Sequence, residues 1–158
     1  MKLLWLDLET SGLDPTRHDI LEIAFKMEGI AQFERVVHVT DFDEMDFEAA
    51  KMHKGTGLLS DCLMSKHSID DVRIAVDTAV RRCPDHTIHL AGNSVHFDRD
   101  FIRVNFKTLH ARLHYRHLDV SVFQLRDIAK GVEPFNPPKV HRAMPDVERS
   151  IAIWEHYR

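Results

Sequence analysis

Lys2-Leu3-Leu4-Trp5-Leu6-Asp7-Leu8 is a short run that is apolar on both sides of a two-residue repeat. Leu3 and Trp5 fall on one side, and Leu4, Leu6 and Leu8 on the other. That is the mark of a strand buried on both faces, inside a sheet that helices cover above and below. Thr10-Ser11-Gly12-Leu13-Asp14-Pro15 follows as a dense turn signal. Ile20–Met27 and Gln32–Thr40 read as two more strands joined around Glu28-Gly29, so the chain opens as a three-strand meander.

Beyond the meander the pattern changes. Phe47–Met52 and Leu58–Met64 read as short helical pieces, interrupted at Gly55-Thr56-Gly57. Ser68–Arg82 is the clearest helix: Ser68 and Asp71 fit a capping box, and Val72, Ala75, Val76, Ala79 and Val80 form one stripe. Thr87–Ala91 is a short strand ending at Gly92-Asn93, and a helix from about His96 carries Phe97, Phe101 and Val104. Tyr115–Val120 looks like a strand and Ser121–Lys130 a helix. Gly131–Lys139 holds three prolines and reads as a loop; the last helix starts near Pro145, with Val147, Ile151 and Trp154 as its apolar stripe. The fold class is therefore α/β: a mixed sheet, meander first and crossover strands after, flanked by helices. It resembles the ribonuclease H-like architecture.

With 158 residues, 44% of them hydrophobic, the chain can bury a core without disulfides or a structural metal. Cys62 and Cys83 form no C-x-x-C pair. No apolar run approaches the roughly 18–20 residues of a membrane span, and Asp7 interrupts the N-terminus before a signal-peptide core could form. A soluble, cytoplasmic protein with no membrane partner is expected. The net charge of −4 argues against a broad electrostatic track for long nucleic acid, but leaves room for a small nucleic-acid ligand.

The acids carry the chemistry. Asp7 and Glu9 are two apart at the end of the first strand, so both carboxylates face one way. Two charges at the end of an apolar strand either mark its exit into solvent or share a neutralising cation. Asp98 opens a helix, where it either complements the helix dipole or serves a site; Asp100 competes for that place. His141 closes the proline-rich loop and Asp146 falls in the first turn of the last helix, an arrangement that suits a mobile base beside a fixed ligand and also a merely solvated pair. Taken together, four carboxylates converging at one sheet edge could not all stay ionised without cations. Two divalent ions would supply the clamp for phosphoryl transfer and offset the −4 charge. A zinc site is disfavoured: His110, His114 and His117 would align only on a helix, where a strand is expected, and there is no H-E-x-x-H.

The motifs resemble those of one family. Asp7-Leu8-Glu9-Thr10-Ser11-Gly12-Leu13-Asp14-Pro15 resembles the first motif of the DEDDh 3′-to-5′ exonucleases, and Gly92-Asn93-Ser94-Val95-His96-Phe97-Asp98-Arg99-Asp100-Phe101 the second. His141-Arg142-Ala143-Met144-Pro145-Asp146 resembles the third. The tract His114-Tyr115-Arg116-His117-Leu118-Asp119-Val120-Ser121 is similar to the oligoribonuclease subgroup. The resemblance implies a single exonuclease domain over residues 1–158, with Asp7, Glu9, Asp98 and Asp146 holding two Mg²⁺ or Mn²⁺ ions and His141 as general base. It implies hydrolysis of short RNA, linear dinucleotides included, to nucleoside 5′-monophosphates. Leu13 would wedge between two bases, and Ser94, His114, Arg116 and Ser121 would cap a 5′ phosphate; Thr10 and His53 match further substrate contacts. A homodimer is implied, with Tyr115 reaching the neighbouring site. A DEDDh exonuclease trimming longer DNA or RNA is the alternative. The chain departs from the subgroup in lacking a tryptophan near Phe47-Glu48-Ala49-Ala50, in carrying Thr10-Ser11 for a Met-Thr pair, and in Pro145, which replaces an aspartate. The missing tryptophan bears on length preference rather than on hydrolysis.

Overall fold

The computed structural model describes residues 2–29, 31–81, 83 and 88–158. Strand β1 (Lys2–Thr10) is the middle strand of a five-stranded sheet of order β3-β2-β1-β4-β5, with β2 at Ile20–Met27, β3 at Ala31–Val36, β4 at Ile88–Gly92 and β5 at Leu118–Asp119. The β1–β2 and β2–β3 pairs are antiparallel, while β1–β4 and β4–β5 are parallel. The helices are α1 (Phe47–Thr56), α2 (Leu58–Met64), α3 (Ile69–Val80), α4 (Val95–Asn105), α5 (Lys107–Arg112), α6 (Ser121–Ala129) and α7 (Ala143–Tyr157).

The two-sided apolar pattern of β1 separates two cores. Leu4, Leu6 and Leu8 join Ile23 and Phe25 of β2 under Val72, Val76 and Val80 of α3 and Phe101 and Ile102 of α4. On the other face Trp5 and Ala24 pack against Met144, Val147 and Ile153 of α7. Asp7 and Glu9 therefore emerge on the α7 face, in step with Leu3 and Trp5.

Several element ends differ from the sequence expectation, each for a local reason. β3 stops at Val36 rather than Thr40, because His38 and Val39 turn their N–H groups to His67 O and Cys62 O, beside α2. α1 runs through Gly55 and ends at Gly57, whose φ of 78° is the left-handed geometry of a helix stop. The helix after Gly92 breaks at Phe106, with φ −127° and a buried ring, so α5 forms a separate turn. Only Leu118 and Asp119 of the expected Tyr115–Val120 strand pair with β4. The capping box of Ser68 and Asp71 forms as expected. Arg82 and Thr87, the expected ends of α3 and β4, lie outside the described residues. No described helix is long and apolar enough to cross a membrane.

Candidate active site

β4 ends at Gly92, and this early ending opens the site. Beyond the last β1–β4 pair, Trp5 with Ala91, β1 continues without that neighbour. The Leu8 N–H donates instead to Asp98 Oδ1 (3.0 Å), drawing the first turn of α4 onto the strand between Asp7 and Glu9. Gly92 makes the approach possible: a Cβ there would meet the Leu6 carbonyl oxygen at 2.8 Å. Ser94 follows in the left-handed region, with φ 59°. The Asp119 carboxylate holds the turn, accepting the N–H of Ser94 (3.0 Å), the N–H of Val95 (3.1 Å) and the N–H and hydroxyl of Ser121 (3.0 and 2.7 Å). Asp98 is 4% exposed, whereas Asp100 lies on the surface facing Arg103, so the structure separates the two acids that the sequence left in competition.

α7 is delivered by a residue the sequence analysis passed over. Glu22 of β2 sits directly opposite Glu9 in the register, and like charges so placed repel. Its carboxylate is fully buried; it accepts the Arg142 guanidinium through Nε (3.0 Å) and Nη2 (2.9 Å), and the Ala143 N–H (2.9 Å) that begins α7. Arg142 also reaches Asp61 of α2 (2.9 Å). A lone glutamate within Ile20-Leu21-Glu22-Ile23-Ala24-Phe25 was the available signal, since a charge on an otherwise apolar strand needs a partner. α7 starts two residues before Pro145, which falls within the first turn where no intrahelical N–H donor is required.

Asp146, 2% exposed, accepts the Val140 N–H on Oδ1 and the His141 N–H on Oδ2, both at 3.0 Å. Glu9, His141 and Asp146 each offer a ligand atom within 4.8 Å of the others. Among the described residues, Asp7 Oδ2, Glu9 Oε1 and His141 Nδ1 are buried without a hydrogen-bond partner. The electrostatics follow from burial. Desolvation, then the nearby Asp98 and Glu9 charges, push the Asp7 carboxyl well above its usual range. Burial raises Glu9 to about 7 and Asp98 to about 8, against the opposing pull of Lys139 and, for Asp98, of the Leu8 N–H. His141 is lowered by burial and then by Lys139, which favours the neutral imidazole. Buried oxygens that lack donors, on carboxyls that resist ionisation, fit hard divalent cations with oxygen ligands.

The remaining sequence candidates fall into three places. Thr10 ends β1 buried, with its hydroxyl on Gly12 O (2.8 Å) and its carbonyl taking His53 Nε2 (2.9 Å). His53 is fully buried, 3.9 Å from Glu9 Oε2. Leu13 stands 75% exposed on the turn after β1. Ser94 and Ser121 meet at Asp119. His114 stacks on Tyr115 (4.5 Å), the Arg116 guanidinium lies 5.2 Å from the Tyr115 ring, and the His114 carbonyl accepts Arg99 Nη1 (3.0 Å) from α4. His110, His114 and His117 do not share a helix, since α5 ends at Arg112.

Comparison with known proteins places the chain in a family. The exonuclease (RNase_T) family profile matches residues 4–154. The chain is 36% identical to the oligoribonuclease of Corynebacterium diphtheriae over 99% of this chain and 81% of that protein. It is 34% identical to the oligoribonuclease of Idiomarina loihiensis, over 99% and 92%, and 34% identical to that of Klebsiella pneumoniae, over 99% and 93%. Among solved structures, product-bound exonuclease I aligns with a TM-score of 0.62 at 14% identity, over 98% of this chain and 42% of that one. This chain thus spans less than half of exonuclease I, and the likeness shows the shared ribonuclease H-like fold. By its matched profile and near full-length relatives, the chain belongs to the exonuclease family, as an oligoribonuclease-like member of its DEDDh 3′-to-5′ class.

Proposed function

We propose that this 3′-to-5′ exoribonuclease, a single exonuclease domain over residues 1–158, hydrolyses short oligoribonucleotides, linear dinucleotides included, to nucleoside 5′-monophosphates. The observation that carries the reading is the set of unpartnered buried atoms, Asp7 Oδ2, Glu9 Oε1 and His141 Nδ1, beside Asp98 and Asp146. Asp7, Glu9, Asp98 and Asp146 would hold two Mg²⁺ or Mn²⁺ ions, which when bound lower the pKa of the attacking water and stabilise the leaving 3′-oxygen. His141, kept neutral by burial and by Lys139, accepts the water proton as its oxygen bonds to phosphorus and the bond to the 3′-oxygen breaks. Asp146 holds the His141 backbone in place during that transfer.

Substrate length is read at the far end. Exposed Leu13 inserts between two bases, and Thr10 and His53, joined through the Thr10 carbonyl, are further substrate contacts. Ser94 and Ser121, joined through Asp119, and Arg116 beside His114 cap the 5′ phosphate; a guanidinium fork suits phosphate recognition. One anchored phosphate needs no basic track, which reconciles RNA binding with a charge of −4. In a homodimer, Tyr115, 70% exposed, is available to the neighbouring site.

The test is cleavage of 5′-labelled RNA and DNA of two, three, five and twenty nucleotides, with Mg²⁺ and with Mn²⁺. Rapid cleavage of the RNA dimer with slow attack on the twenty-mer supports the reading. Uniform trimming of all lengths assigns a general exonuclease instead, and absence of cleavage with either metal overturns hydrolysis by this chain.

A further inference from the structure

Arg149 has no role in the reading above, yet its guanidinium joins three of the segments that build the site. It lies one turn beyond Asp146 on α7, on the same side of the helix. Nε donates to Pro137 O (2.7 Å), Nη2 to Asn136 Oδ1, and Nη1 to Asn93 Oδ1 (3.4 Å). The first two acceptors belong to the proline-rich loop that delivers His141. The third is the residue just before Ser94, whose turn opens α4 and sets Asp98; Asn93 Nδ2 in turn meets Ser94 Oγ (3.2 Å).

The loop needs such a hold. His141 sits at φ 59°, a left-handed conformation that a non-glycine residue keeps only where its surroundings over-determine it. On one side Asp146 fixes the N–H groups of Val140 and His141. On the other side, Gln124 reaches Phe135 O (3.1 Å) and Asn136 Oδ1 (3.0 Å), and the Tyr157 hydroxyl accepts the Phe135 N–H (2.9 Å). Arg149 reaches further along the loop than either, to Pro137, leaving only Pro138 and Lys139 between the two anchors. The sequence alone suggests a histidine free to swing; the bonding describes one held from both ends.

We propose that Arg149 is the positioning residue for the general base, fixing the 135–141 loop against α7 and the start of α4 so that His141 stays beside Glu9 and Asp146. This rests on the reading of His141 as the base. The test uses the full chain with Mg²⁺ and an RNA dinucleotide, comparing Arg149→Ala, Arg149→Lys and His141→Ala. Arg149→Ala is expected to keep its circular dichroism spectrum and cooperative unfolding. Its kcat should fall on the order of 10²-fold, the cost of a small misplacement of a reacting group, with KM little changed. Lysine keeps one donor for Pro137 O but loses the planar fork, so Arg149→Lys should recover part of the loss. Hydrogen exchange, read without turnover, should quicken at the amides of residues 139–141 in Arg149→Ala and stay unchanged in β1 and β2. Unchanged loop exchange overturns the proposal, as does exchange that quickens evenly over the whole chain. A fully active His141→Ala sinks the general-base reading itself. An inactive His141→Ala beside a fully active Arg149→Ala sinks the Arg149 proposal alone.

Discussion

Asp146 has two roles in the proposed reading, loop anchor and metal ligand. Both oxygens already accept backbone N–H groups of the His141 loop, and one of them lies within 4.8 Å of ligand atoms on Glu9 and His141. Asp146→Asn removes the charge and also sets an amide N–H₂ against a backbone donor, so it loses a loop bond as well as a ligand. Turnover of a labelled dinucleotide is expected to drop below detection, and calorimetry should show weakened Mn²⁺ binding. His141→Ala removes the proposed base and leaves the four acids, so kcat should fall by about 10²–10⁴-fold with Mn²⁺ affinity nearly unchanged. Lost metal binding in that variant would make the histidine a ligand instead. Arg116→Ala should raise KM for the dinucleotide more than for a five-mer, and equal losses on both would remove the phosphate cap from consideration. The candidate acids and histidine could be named from the sequence because they fall in three ordered motifs that resemble those of one family. Glu22, Asp119 and Arg149 were not, because they act through partners distant in the chain: Glu22 meets Arg142 across 120 positions, and only the folded register reveals the pair.

At the scale of elements, the site depends on how two helices begin. α4 starts on the Asp119 carboxylate and α7 on Glu22, each a side chain from a strand accepting the helix's first free N–H groups. Glu22 is fully buried, and Arg142 supplies the charge that makes its burial tolerable. Arg142→Ala leaves that carboxylate uncompensated and is expected to cost about 3 kcal/mol of stability, measured by urea unfolding. Glu22→Gln keeps a polar group without the charge and should cost less; the reverse order would show that the N–H cap, not the ion pair, governs. The strong elements were legible: β1 from its two-sided apolarity, α3 from its capping box and stripe, α7 from its spacing. What escaped were ends decided by tertiary bonds. β3 is cut short where His38 and Val39 bond to the α2 region, and the α4–α5 break follows from burying Phe106.

Over the whole molecule, the sheet order places β1 at the centre, and the meander and the crossovers approach the same strand end from opposite sides. That convergence gathers four carboxyl groups in the interior, where burial resists the ionisation of Asp7, Glu9 and Asp98. The consequence is a pH dependence with a definite sign. Folding raises Glu9 from 4.5 to about 7 and Asp98 from 3.8 to about 8. Their contribution is therefore full below the unfolded values and is lost as pH rises through the folded ones, where the native state must release protons that the unfolded chain gave up earlier. His53, His110, His114 and His141, all lowered, act oppositely, but their effect fades by about pH 7.5, a unit above the ordinary imidazole value, where the ring is mostly neutral in either state. The window from about pH 7.5 to 8.5 therefore reports mainly the acids, Asp98 above all. In EDTA the melting temperature should fall across that window. Asp98→Asn, which removes one of the strained carboxyls, should flatten the slope. Divalent cations bind the ionised form, so saturating Mg²⁺ should raise the melting temperature more at the alkaline end than at the acidic end. A melting temperature that is flat or rising in EDTA, with a Mg²⁺ increment independent of pH, would mean that the four carboxylates do not share one pocket in solution.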